Sequence, residues 1–142
     1  MAHAEVRPMP RAEQELRKRA CEAFNRSELD ELVKLYHPDC IWEMSRFAGP
    51  HDHAVYRGHA GLRRMCKEWQ RAWEHVQLES TDMWRVGERS LVTYRLRAVC
   101  KRGAERIEIR WMQVGEARAG LIYRVDNYSD MEEALAAVGL GS

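Results

Sequence analysis

The residues best equipped for chemistry crowd into one stretch, "GPHDHAVYRG" (Gly49 to Gly58), which carries His51, Asp52, His53 and Tyr56. Histidine titrates near neutrality and works as a general acid or base when a carboxylate or hydroxyl orients it. His53, oriented by Asp52 or Tyr56, is therefore a catalytic candidate. The same residues make a poor metal site, because neighbours in one loop lack the distant ligand that closes a coordination sphere. No metal and no cofactor are expected.

A loop can act only over a frame, and the flanking segments supply one. Residues 1–10, with Pro8 and Pro10, read as a flexible lead-in to a single domain over 11–142. In "RAEQELRKRACEAFN", Leu16, Ala20, Ala23 and Phe24 share a helical stripe. Ser27 and Asp30 have capping-box spacing before "ELDELVKLY", a second helix with Leu29, Leu32, Val33 and Tyr36 facing inward and Pro38 ending it. A short strand, "CIWEM", follows, with Cys40, Trp42 and Met44 on one side. A third helix is expected over "HAGLRRMCKEWQRAWEHV", its buried stripe being Leu62, Met65, Cys66, Trp69 and Trp73. From Val76 the period becomes two, predicting four strands in sequence: "VQLESTDMWRV", "LVTYRLRAVC", "RIEIRWMQV" and "LIYRVDNY". A last helix, "DMEEALAAVGL", takes Ser129 or Asp130 as its N-cap and stops at Gly139.

Composition removes several function classes. The 142 residues hold 23 basic and 22 acidic side chains. No sustained positive field exists for nucleic acid or anionic lipid, so neither is expected as a partner. The longest apolar run, "ALAAVGL", is too short to span a bilayer, which with the absence of an apolar leader points to a cytoplasmic protein. Cys21, Cys40, Cys66 and Cys100 are irregularly spaced, as buried reduced thiols are.

Two helices, a strand, a loop, a helix and then a meander make an α+β order. The motifs "LYHPDCIW", "YRGHAGL", "WQRAWE", "GERSLVTYRLRA" and "GLIYRVDNYSDMEEAL" resemble, in order and spacing, the nuclear transport factor 2-like superfamily and its SnoaL-like, ketosteroid-isomerase-like branch. The resemblance implies a cone-shaped, curved antiparallel β-sheet with the N-terminal helices packed on its concave face. It also implies homodimerisation through the outer sheet face. The isomerases' aspartate base falls here on Met44, their oxyanion tyrosine on Ala20, and their protonated aspartate near Trp111 or Met112, none of which performs that chemistry. SnoaL-like proteins often carry an acid just before the tyrosine of the last strand. Here it is Asn127, whose amide orients a carbonyl or hydroxyl without exchanging a proton.

With the apolar parity turned toward the helices, Phe24, Tyr36, Trp42, Met44, Tyr56 and Met65 are expected to form one part of a pocket wall. Trp69, Trp73, Tyr94, Ile109, Trp111, Tyr123 and Val125 form the rest. Such a wall suits a small hydrophobic or polycyclic molecule in a space on the order of 300–1,000 Å³. His53 and Asn127 are its catalytic candidates. Two alternatives stand beside this reading. One is a non-catalytic dimerisation or binding module. The other is an enzyme similar to limonene-epoxide hydrolases, in which the opposite parity would turn Glu108, Arg110 and Asp126 inward to activate water.

Overall fold

The computed structural model describes residues 5–49 and 51–140. Its elements, in chain order, are β1 (Val6–Pro8), α1 (Arg11–Asn25), α2 (Leu29–Lys34), β2 (Tyr36–Arg46), β3 (Val55–Arg57), α3 (Gly58–Ala72), β4 (Trp73–Val86), β5 (Arg89–Cys100), β6 (Arg106–Arg118), β7 (Leu121–Tyr128) and α4 (Met131–Ala137). The seven strands form one sheet in the order β1-β4-β5-β6-β7-β2-β3. All neighbours run antiparallel except β2 and β7, which are parallel. Register shifts in β4 between Glu74 and Gln77 and between Ser80 and Asp82 increase the local twist, so the sheet curls without closing. The α+β cone expected from the motifs is the fold observed.

The meander follows the period of two. In β5, Val92, Tyr94, Leu96 and Ala98 are buried under the helices, while Arg97 points to solvent. Asn25 at the end of α1 clips the helix to β4, donating to the Leu78 carbonyl at 2.9 Å and accepting from the Leu78 amide at 2.6 Å. A second, smaller core of Val86, Leu91, Val114, Ala134 and Val138 seats α4, whose N-cap Asp130 accepts from the Glu132 amide at 2.9 Å. Gly139, at φ 81°, ends it.

Several boundaries differ from expectation. The described half of the lead-in is tied to the sheet: Val6–Pro8 pairs with Trp84–Val86, and Met9 is buried. Ser27 adopts a left-handed φ of 56° and Glu28 becomes the N-cap of α2, so the Ser27–Asp30 capping box does not form. The second helix ends at Lys34, and Tyr36 opens β2 because its backbone finds a ladder beside Ile122 on β7. Helix α3 stops at Ala72. Trp73 fits the helical stripe in spacing but begins β4, paired with Cys100.

Candidate functional site

A small cavity of about 30 Å³ lies between the helices and the concave sheet face. That is room for one or two waters, an order of magnitude below the expected ligand-sized space. Its apolar walls come from Ala20, Cys21 and Phe24 of α1, Leu32 of α2, and Leu62, Met65, Cys66 and Trp69 of α3. The sheet contributes Tyr36 and Trp42 from β2, Leu78 from β4, Tyr94 from β5, and Trp111 and Gln113 from β6. The aromatic rings grip one another: Phe24 meets Trp69 edge-on at 5.6 Å, and Tyr94 stacks on Trp111 at 5.5 Å.

The other expected wall residues sit elsewhere. Met44 and Val125 are fully buried in the core but do not line the cavity. Trp73 packs edge-on against Trp69 at 5.2 Å, and Ile109 is half-buried at the core's margin. Tyr123 turns away. In the β6–β7 ladder Arg124 faces Glu116 and Ile122 faces Ala117, so Tyr123 is the extra residue of a bulge. Ile122 takes the inward place, and Tyr123 lies against His37 and beneath the Arg118 guanidinium, 3.6 Å from its ring centroid. The inward charged cluster of Glu108, Arg110 and Asp126 is also corrected. Glu108 pairs with Arg97 and Arg110, and Asp126 with Arg124, all on the outer sheet face. Turning them inward would have buried charge and exposed Trp111 and Val125.

His53 is exposed, and its ring stands edge-on to Tyr56 at 5.5 Å. Tyr56 is not a wall residue but part of a clasp. Its hydroxyl donates to Glu68 in a short hydrogen bond and accepts from the amides of Asp52 and His53 at 3.0 and 3.1 Å. Glu68 also accepts from the Asp52 amide at 2.9 Å. Burial pushes the Glu68 carboxyl up, but these hydrogen bonds outweigh it and leave it below its ordinary value. The clasp holds residues 51–57, and nearby Phe47 stacks on Trp69 at 5.9 Å and meets Trp111 edge-on at 5.2 Å.

The cavity's polar end is built on a residue that sequence reasoning passed over. Arg17, on α1 one turn before Ala20 and Cys21, is only 1% exposed. It donates to Gln113 Oε1 at 2.6 Å and to Ser90 Oγ at 3.0 Å. Gln113 in turn donates to Asn127 Oδ1 at 3.0 Å, which also accepts from Trp111 Nε1 at 3.0 Å. Asn127 Nδ2 donates to the Glu43 carbonyl at 3.2 Å. Asn127 therefore spends its polar atoms inside the protein, orienting Gln113 and Trp111 from behind the wall. The missed signal was the spacing Glu13, Arg17, Ala20, Cys21, which places a cation within the buried stripe of α1.

At neutral pH the lining groups keep their protons. Burial pushes the Cys21 thiol up to about 11 and the Cys66 thiol up to about 12. It raises the Tyr94 hydroxyl to about 12 despite the Arg17 guanidinium beside it, and Tyr36 well above the ordinary range, with neighbouring Tyr94 adding to the rise. Among the described residues no group of three or more His, Cys, Asp or Glu stands positioned to hold a metal ion, and no helix is long and apolar enough to cross a membrane.

No curated protein matches the sequence. Among solved structures, the chain is similar to an NTF2-like protein of unknown function from Burkholderia pseudomallei (19% identity, 92% of this chain and 98% of that one, TM-score 0.68). It is also similar to TerC co-crystallised with polyporic acid (15%, 89% and 98%, TM-score 0.70). A third similar structure is a putative polyketide cyclase from Xanthomonas campestris (20%, 89% and 96%, TM-score 0.66). At these identities the likeness speaks for the fold alone. The profile of the SnoaL-like domain matches residues 18–125, from the second turn of α1 to the middle of β7, and the chain accordingly belongs to the SnoaL-like family.

Proposed function

We propose that this domain binds a small, flat, mostly hydrophobic molecule between its helices and sheet. The observation that carries the reading is the concentration of Tyr36, Trp42, Trp69, Tyr94 and Trp111 around one internal space. A ligand enters by parting that wall, with the unbranched Met65 and the helix-borne Phe24 as the side chains best able to change rotamer. The similar structure co-crystallised with polyporic acid and the putative polyketide cyclase support a small-molecule role. Binding without acid–base turnover is favoured, because among the described residues the lining holds neither carboxylate nor imidazole and its hydroxyls and thiols stay protonated. In this reading Asn127 positions the wall, and His53 remains on the loop surface. The protein acts in the cytoplasm as a homodimer paired through the outer sheet face, and sedimentation as a monomer at tens of micromolar would exclude that assembly.

The cavity's small volume favours one competing reading, a dimerisation module whose interior is packed shut. Tryptophan fluorescence separates the two. Titration with flat hydrophobic probes should shift the emission of Trp42, Trp69 and Trp111 and saturate at one probe per chain. A flat response across a broad panel would establish the closed module.

A further inference from the structure

Arg17 carries a charge into the interior and meets no anion there. Its hydrogen-bond partners Gln113 and Ser90 and the adjacent Tyr94 hydroxyl are all neutral, and among the described residues it makes no salt bridge. The acid one turn before it on the same helix face, Glu13, is taken by Arg85. A buried cation compensated only by dipoles is costly. The backbone nevertheless makes room for it: a Cβ at Gly115 on β6 would collide with the guanidinium and come within 2.6 Å of Ser90 Oγ.

The unpartnered atoms share one polarity. Among the described residues, Arg17 Nε, Trp42 Nε1 and Trp69 Nε1 are buried N–H donors with no acceptor, as is Arg85 Nε away from the cavity. Trp42 and Trp69 line the cavity, and Arg17 lies directly behind its Gln113 and Tyr94 wall. The Tyr36 and Tyr94 hydroxyls add two further donors to the lining. Buried donors left without acceptors cost free energy, and a charged group more than a neutral one. The partner that completes this set accepts hydrogen bonds and carries a negative charge.

Resting on the small-molecule reading above, we infer that the ligand class is an aromatic oxyanion, a flat ring system bearing an ionised carboxylate, phenolate or enolate. The oxyanion is seated toward Arg17, and the rings lie among Trp42, Trp69 and Trp111. Charge at one end and apolar surface over the rest match the division of the site.

The test compares naphthoate, dinitronaphtholate and the neutral isostere naphthamide by tryptophan fluorescence and calorimetry. Wild type should bind at least one of the two anions about tenfold or more tighter than naphthamide, the scale of a buried charge-assisted hydrogen bond. Which anion wins separates a carboxylate from a phenolate. Arg17→Met should erase the preference by weakening the anion about tenfold while leaving naphthamide within about threefold. Arg17→Lys, which keeps the charge without the fork, should retain part of it. Thermal unfolding checks that each variant is folded, and the wild-type ratio decides the matter if Arg17→Met is not. Equal binding of naphthamide and both anions by wild type, or an undiminished preference in folded Arg17→Met, overturns the oxyanion assignment and leaves the pocket intact. No binding of any of the three overturns the pocket reading and this inference with it.

Discussion

Arginine occupies two opposite settings in this fold. On the outer sheet face Arg95 pairs with Glu79, Arg97 and Arg110 share Glu108, and Arg124 pairs with Asp126, all in contact with water. Inside, Arg17 is 1% exposed and faces the Gln113 amide and the Ser90 and Tyr94 hydroxyls. The outer charges are screened and compensated, so each matters little to stability. The inner one has lost its water without gaining an anion, and everything around it must hold it. The same side chain is a solvated surface group in one place and, in the other, the centre of a polar network reaching through Gln113 to Asn127.

The sharpest break in that contrast should come from Asn127→Leu. It strands Trp111 Nε1, Gln113 Nε2 and the Glu43 carbonyl together, and urea unfolding should show a loss of about 3 kcal/mol or more. Wild-type stability in this variant would mean that the inner network is no more consequential than the outer pairs. Gly115→Ala comes next. Its methyl group must push against the Arg17 guanidinium and Ser90, for a cost of about 1–3 kcal/mol; if the crevice relaxes freely, the midpoint will not move.

Glu68 offers a third, pH-dependent probe at a site between the two extremes. Its folded carboxyl titrates below the ordinary value of 4.5, so its contribution is fully present above that pH. The contribution is lost as pH falls through the lowered folded value. Hydrogen exchange across residues 51–57 should quicken in wild type over that acid window. Glu68→Gln should show faster exchange already at neutral pH, with a cost of about 1 kcal/mol, and no further change in the window. Identical profiles for the two proteins would remove the clasp from the account. The smallest effect is expected outside: Arg97→Ala should leave the unfolding midpoint unchanged within error, and a clear drop would show that the outer face is not the passive member of the pair.

Much of the frame was legible before any coordinates. Alternation placed Val92, Tyr94, Leu96 and Ala98 under the helices and Arg97 outside because side-chain direction in an unbroken ladder follows from parity alone. The N-cap, narrowed to Ser129 or Asp130, and the stop at Gly139 were readable because their causes are local, and the structure puts the cap on Asp130. Parity failed at Tyr123, where one extra residue in β7 reverses the count, and that bulge exists only in the pairing with β6. The end of α3 was misplaced because Trp73 satisfies helical spacing and strand pairing alike, and its partner Cys100 is remote in sequence.

By itself, the sequence determined the order of the helices and of the longer strands, though not the short strands β1 and β3, together with the apolar face of the meander and the aromatic character of the interior, since these depend on periodicity and composition. Only the tertiary structure decided how much space those aromatics leave, and that the cation in the α1 stripe meets Gln113 and Ser90, 96 and 73 residues away, rather than a carboxylate. Cavity volume is a small difference between large packed volumes, and the partner of a buried charge is set by chain crossings that no local pattern records.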